Sequence, residues 1–295
     1  MENPMLYLQL VADGVVTGCA IGLVSVSFAY FYATTGIFHV AHAGIYTLCG
    51  YIAWYLTGLG VPFILALLAS IACGALVGAA IQVTLYRHLD KKGASPLVKL
   101  IASIGVLTAL QNIVAILFTP NIVQFDLPWR LARVTVGGLA FSVPQVLVLV
   151  FGIALFAGMV AFSNYTTLGK RIRAVASNPA LAEITHLQPQ KVFIYVIAIA
   201  SGLVAVPGVL IGLDQALQPY TSLIILLTAV IAMIAGGIGS LGGAFIMSIV
   251  LAVVQSLSVA FVSGRWSVAV VFGIFVIFIL IRPEGLFRHK FNRAI

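Results

Sequence analysis

Charge is what this chain has least of. Only 7% of its 295 residues are charged and seven are acidic, where a soluble domain carries about 25% charged residues. With 62% hydrophobic residues and a mean hydropathy of +1.18, a soluble globular domain is excluded. The regular 10-residue alternating segments of a transmembrane β-barrel are missing too. The three cysteines, Cys19, Cys49 and Cys73, all fall in apolar stretches without a pairing pattern. They read as small core residues, not as a disulfide framework or metal site. No Lys or Arg precedes the first apolar run, so the basic start of a secretory leader is lacking and the first helix is expected in the mature protein. A phosphate-binding GxxxxGK[ST] loop is absent, since Gly169-Lys170 is followed by Arg171. Nor does any Ser/His/Asp or Cys/His set stand ready for catalysis. A proton-coupled carrier needs buried carboxylates, whereas Asp13 and Asp214 lie at the ends of their apolar runs. Energy for uphill transport would have to come from a partner.

What is present is a series of apolar runs near the roughly 20 residues that cross a bilayer. The spans read as 8–32, 38–56, 62–86, 97–118, 143–162, 192–213, 222–235, 241–262 and 267–281. This predicts an all-α, polytopic transmembrane helical bundle of eight or nine membrane segments in one domain, 1–295. The seventh span is short and pairs with the eighth across a glycine-rich break. The net charge of +8 does not call for nucleic acid, because its distribution has a simpler reading. Of the fifteen Lys and Arg, twelve fall in three clusters: Arg87, Lys91, Lys92 and Lys99; Lys170, Arg171, Arg173 and Lys191; and Arg282, Arg288, Lys290 and Arg293. The span count puts all three on one side, with Arg130, Arg133 and Arg265 opposite. By the positive-inside rule the clusters and the C-terminus are cytoplasmic and the N-terminus is outside. The outside segment 119–142, with Trp129 and two arginines, reads as an interfacial anchor, with docking of an external partner as the other reading.

Glycines recur four apart at Gly14, Gly18 and Gly22, at Gly74 and Gly78, at Gly208 and Gly212, and at Gly239 and Gly243. Such spacing lets helix backbones approach closely. The run AGGIGSLGGA at 235–244 is denser, and apolar helices flank it instead of a βαβ unit, which rejects a dinucleotide loop. Gly236, Gly237 and Gly239 instead suggest a broken helix beside a transport path. A weaker counterpart, TTGIFHVAHAG at 34–44, carries His39 and His42, three apart as on one helical face. With no third ligand nearby they make a poor metal site. Ser103, Thr108, Gln111 and Asn112 share one half of the fourth span; pore lining and structural hydrogen bonding remain equal readings there.

The polar insert TTLGKRIRAVASNPALAEITHLQ at 166–188 interrupts this apolar chain. Asn178 suits an N-cap and Pro179 the first helical position, so a short helix is predicted to about Leu187. Leu181 and Ile184 form an apolar ridge able to enter a partner's groove. Lys170, Arg171 and Arg173 suit lipid phosphate or an acidic partner, or serve only to orient the chain.

Taken in order, these motifs resemble those of permeases in bacterial ABC importers of the branched-chain amino acid (LivH/LivM) type. The loop's Gly169, Arg173, Ala174, Asn178 and Ala182 match that family, as do LTALQN, GGIGSLGGA, IRPEGLF and the second span. His186 stands where the family has a helix-ending glycine, and Val40-Ala41-His42-Ala43 where it has Phe-Ala-His-Gly. The resemblance implies a permease subunit of an ATP-binding-cassette importer for branched-chain or related amino acids. Its implied partners are a second, identical or homologous permease, two cytoplasmic ATPases and a periplasmic substrate-binding protein, in the bacterial inner membrane. ATP and Mg would sit on the ATPases, with no cofactor on this chain. Residues 164–191 would be the cytoplasmic coupling loop, with Gly169, Arg173, Ala174, Asn178, Pro179, Leu181, Ala182 and Ile184 as its working residues. Related permeases serve urea and short amides, which keeps those cargoes open, and a stand-alone secondary transporter or channel is the rival class. A membrane-embedded enzyme built on His39 and His42 is a further rival.

Overall fold

The computed structural model describes residues 4–283 and 285–287. Arg288, Lys290 and Arg293 of the last basic cluster, Glu284 of IRPEGLF and residues 1–3 lie outside the described residues. The helices are α1 (Pro4–Thr35), α2 (His42–Gly58), α3 (Phe63–Ile81), α4 (Arg87–Lys91), α5 (Pro96–Leu117) and α6 (Val143–Tyr165), then α7 (Thr167–Ser177), α8 (Pro179–Ile184), α9 (Pro189–Asp214), α10 (Ser222–Gly236), α11 (Leu241–Ser258) and α12 (Ser267–Ile281). A π-helical turn, Gln82–Tyr86, joins α3 to α4. Among the described residues, seven segments are long and apolar enough to cross a membrane: α1, Phe63–Lys91, α5, α6, α9, α11 and Gly264–Ile281. The expected all-α polytopic bundle is therefore what forms.

Two of the nine expected spans fall short, each for a local reason. The second begins at His42, not residue 38, because α1 ends at Thr35 and residues 36–41 are irregular. The seventh, α10, has 15 residues, about 22 Å of helix against a hydrocarbon core of about 30 Å. The eighth ends at Ser258, four residues earlier than expected. Segment 119–142 departs from all-α structure in an antiparallel hairpin of β1 (Arg133–Val136) and β2 (Leu139–Ser142) and in a β-bridge of Val123 with Leu217.

Central α1 touches α6, α9, α10 and α11. Its glycines explain how. A Cβ on Gly14 would lie 2.6 Å from the Val253 Cα, and one on Gly18 would lie 2.5 Å from the Ile249 Cα. No side chain fits between these backbones, so the four-residue spacing of small residues is a packing seam. The order of contacts makes α11 antiparallel to α1. By the same logic α6 runs parallel to α1, since Gly152 faces Cys19 and Gln145 hydrogen-bonds to Asp13. Gly74 and Gly78 seat α3 on α9 in the same manner. The pair Gly239 and Gly243 is different: Gly239 lies in a turn at φ 93°, so these two are not one helical face. Cys19 and Cys49 are buried and Cys73 partly so, all three as free thiols.

The bundle has two chemically distinct ends. One collects Thr35, α4, α7, α8 and the 237–240 turn, with Lys91, Lys92, Lys170, Arg171 and Arg282. The other collects the start of α1, the β-hairpin and the end of α9. There Arg130 donates through Nε to the Leu213 carbonyl and through Nη2 to the Gln215 carbonyl at 2.8 Å. Asp214 accepts from the Ser142 hydroxyl at 2.9 Å, and Asp13 accepts from Gln9 at 3.1 Å. Asp214 thereby holds the hairpin to α9 and Asp13 joins α1 to α6, both at the margin of the apolar region where their positions in the sequence place them.

Candidate functional site

At the basic end the polar insert forms a folded-back, two-helix element. Thr166 caps α7, its hydroxyl accepting from the Gly169 N–H at 3.0 Å. Gly169 lies so close to the Phe162 and Ser163 backbone that a Cβ would collide there. This contact lets α7 turn back along the last turn of α6. Ile172 and Val175 are buried beneath it, while Lys170 and Arg171 are exposed. Arg173 is half-buried, and its guanidinium turns inward to Asn164, with Nη1 donating to Oδ1 at 2.5 Å. Ala174 lies exposed on the outer side.

Helix α8 follows as expected at its start. The Asn178 side chain accepts from the Leu181 N–H at 3.0 Å, with Pro179 in the first position. It ends at Ile184, three residues sooner than predicted, because His186 takes φ 62°. The Leu187 N–H then bonds back to the Ala182 carbonyl at 3.0 Å, and the His186 N–H to that of Glu183 at 3.1 Å. This is the glycine-type helix stop, here carried by a histidine. Ala182 is buried against the rest of the chain. Leu181 is 58% exposed and Ile184 75% exposed, so a capped short helix presents two largely uncovered aliphatic side chains.

Deeper in the bundle, the break after α1 holds both histidines, though not as one helical face: His39 is in the irregular segment and His42 begins α2. Their rings are 5.6 Å apart. His39 Nδ1 lies 2.7 Å from the Tyr86 hydroxyl, and His42 Nε2 2.8 Å from that of Ser27. The second nitrogen of each ring is buried and has no hydrogen-bond partner among the described residues. Among the described residues no three His, Cys, Asp or Glu side chains come together as a metal site. Tyr86 is delivered by the π-turn, a distortion common at functional sites, and Ser103 accepts from the Ala41 N–H at 2.9 Å.

The polar half of α5 divides. Ser103 and Gln111 are buried; Gln111 Nε2 lies 3.4 Å from the Ser222 hydroxyl, which also accepts from Thr47 at 2.7 Å. These residues tie α5, α2 and α10 together. Thr108 and Asn112 face outward from this chain, one turn apart, and the Tyr220 hydroxyl donates to Asn112 Oδ1 at 3.4 Å. Ser222 marks where the short α10 begins, inside the bundle. The break between α9 and α10 at 215–221 has no glycine signal and lies toward the hairpin end, where Leu217 pairs with Val123. The glycine run lies instead at the basic end. Gly237 adopts φ 103°, a conformation only glycine takes easily, and Gly236 packs backbone-to-backbone on Gly243. Residues 285–287 dock here, the Leu286 N–H donating to the Ala235 carbonyl at 2.8 Å and that of Phe287 to Gly236 at 3.1 Å. The structure thus separates the expected pathway residues into three places: the histidine break, the α5 face and the glycine turn. Ser27, Tyr86, Thr47, Ser222 and Tyr220 join them without having been expected.

Comparison with known proteins agrees with this architecture. A family model described as "Branched-chain amino acid transport system / permease component" matches residues 10–280. The high-affinity branched-chain amino acid transport system permease protein BraD of Pseudomonas aeruginosa is 26% identical, over 95% of this chain and 95% of its own. LivH of Escherichia coli K12 and of Salmonella typhimurium, permease proteins of the same named system, are each 24% identical, over 97% of this chain and 96% of theirs. Among solved structures, PsaBC from Streptococcus pneumoniae in complex with Fab aligns with a TM-score of 0.52 at 16% identity, covering 94% of this chain and 92% of that one. At that identity the likeness speaks to the fold alone.

Proposed function

The chain belongs to the family of branched-chain amino acid transport system permease components, and from that premise we propose that it is the membrane-spanning subunit of an ATP-driven importer for branched-chain or related amino acids. The observation that carries the motor reading is α8. Its cap, buried Ala182 and histidine stop hold a short helix rigid while Leu181 and Ile184 stay uncovered. Exposed aliphatic side chains on a rigid helix suit insertion into an apolar groove. The fit is to a cytoplasmic ATPase, with ATP and Mg held there and none on this chain. The family premise supplies the other partners: a second permease, a second ATPase and a periplasmic binding protein. In this reading the basic end is cytoplasmic and the hairpin end faces the periplasm of a bacterial inner membrane, as the placement of Lys and Arg supports.

Cargo would pass along the α5 face where Thr108, Asn112 and Tyr220 are exposed, with the second permease closing the opposite wall. Amide and hydroxyl groups left on an outer face at membrane depth are costly in lipid, which favours a water-filled or protein-covered surface there. His39 and His42 lie one layer behind it and act on the path through Ser103 and α2. Gly236, Gly237 and Gly239 form the hinge-like turn at its cytoplasmic end. The rival secondary transporter draws little support: the ion pair among the described residues, Lys99–Asp90, lies at the basic end. Purification from mild detergent tests the proposal. Two ATPase subunits should accompany each pair of permeases, and recovery of the chain as a stable transporter free of them overturns it.

A further inference from the structure

A cavity of about 770 Å³ opens near the basic end, between the last turns of α1 and α6, the middle of α7 and the first turn of α11. The exposed side chains of α8 and of the α5 face lie outside it, and of the residues placed on the path Gly239 alone is among those lining it. Its apolar wall includes Phe156, Val160 and Ile172, and its polar side holds Arg173, Tyr30 and the 238–242 turn. Among the described residues no Asp or Glu lines it. Among the described residues the Arg173 guanidinium has Asn164 as its one hydrogen-bond partner, which leaves most of its five donors unused. Tyr30 is only 5% exposed, and its hydroxyl is shut off from solvent with no hydrogen-bond partner among the described residues. The 18-residue α11 also enters the cavity with its N-terminus. Ser240 satisfies the Gly243 N–H at 3.0 Å, and the two N–H groups before it lack helical acceptors. A Cβ on Gly242 would meet nothing within 4 Å, so this turn faces open space.

We propose that this cavity binds the phosphate of an anionic phospholipid. Three independent donors converge on it: a guanidinium, a sealed phenol and the positive end of a long helix, each favouring an oxyanion. The absence of a lining acid disfavours a zwitterionic amino acid, whose ammonium would have no counter-charge. A lipid also accounts for the apolar wall. Ala161 and Ala157 line the cavity, and the same stripe of α6 continues outward through Ile153 and Val150, which are 57% and 58% exposed. This strip can carry an acyl chain away from the headgroup.

The test uses the full chain, purified with its subunits, in nanodiscs of mixed phosphatidylglycerol and phosphatidylcholine, with retained lipid counted by native mass spectrometry. The wild type should keep phosphatidylglycerol in preference to phosphatidylcholine. Gly242→Asp adds an acid that suits the first turn of a helix but repels phosphate, and should cut retention about ten-fold. Arg173→Gln should do the same, and carries the test if Gly242→Asp does not assemble. Retention unchanged from the wild type in both variants, or equal retention of the two lipids by the wild type, overturns the proposal. Displacement of phosphatidylglycerol by millimolar inorganic phosphate would also overturn it, by marking a free-ion site.

Discussion

Replacing Leu181 and Ile184 together by alanine should weaken ATPase binding while leaving this chain folded. The two side chains are 58% and 75% exposed, so little of their apolar surface is already used within the subunit. Full burial of one such side chain is worth about 1.5–3 kcal/mol. The surface still available on both corresponds to about 2–4 kcal/mol, and to about 1–3 kcal/mol once the methyl that alanine retains is subtracted. That range converts to roughly 5- to 160-fold in Kd. The helix itself should survive, because alanine is the best helix former and neither the Asn178 cap nor Ala182 is touched. The assay is titration of the purified ATPase against nanodisc-embedded permease, with circular dichroism melts as the control for folding. Loss of affinity with an unchanged melt is expected. An unchanged Kd would refute the docking argument, and a collapsed melt would show that the exposure in the free chain misstates how α8 is held. A single aspartate at either position, which adds the cost of burying a charge, should abolish uptake while membrane insertion persists.

Other outcomes follow from individual residues. His186→Gly should slow hydrogen exchange across 178–187 by relieving a left-handed histidine, worth about 1 kcal/mol; unchanged or faster exchange would show that the φ 62° turn carries no strain. Gly18→Leu should block the α1–α11 seam, where a Cβ alone would sit 2.5 Å from Ile249 Cα, and lower the yield of folded protein sharply, while Gly158→Leu, at a position with nothing within 4 Å, should be tolerated. A cytoplasmic reporter fused at Asn178 should be active; a periplasmic signal there would invert the assigned topology. Asn112→Leu should impair uptake while leaving assembly intact, and normal uptake would remove α5 from the path.

Much of this architecture was legible because lipid imposes a length on each apolar run and Lys and Arg mark the loops between them. The capped start of α8 was equally legible, since Asn-Pro at its head is a local signal. So was the awkward position of His186, which duly adopts a positive φ. The depth of breaks was not. Gly237 announces a turn, but nothing local says that it lies at the basic end beneath residues 285–287, whereas the break at 215–221, toward the hairpin end, has no glycine to mark it. The polar stripe of α5 reads as one face, and only packing decides that Ser103 and Gln111 bond inward while Thr108 and Asn112 look out. The partners of the histidines, Ser27 and Tyr86, are distant in sequence, and the π-turn that positions Tyr86 has no composition of its own. Arg173 shares a run with Lys170 and Arg171, yet the collapse of Gly169 onto α6 turns it alone toward the cavity.

The central claim is tested most directly by uptake of radiolabelled leucine into proteoliposomes holding this chain, its partner permease and the ATPases, supplied with the binding protein outside and ATP inside. The account predicts uptake against a gradient that requires ATP and the binding protein and is lost in Ile184→Asp. Uptake that persists without ATP, driven by an ion gradient through this chain alone, would contradict it.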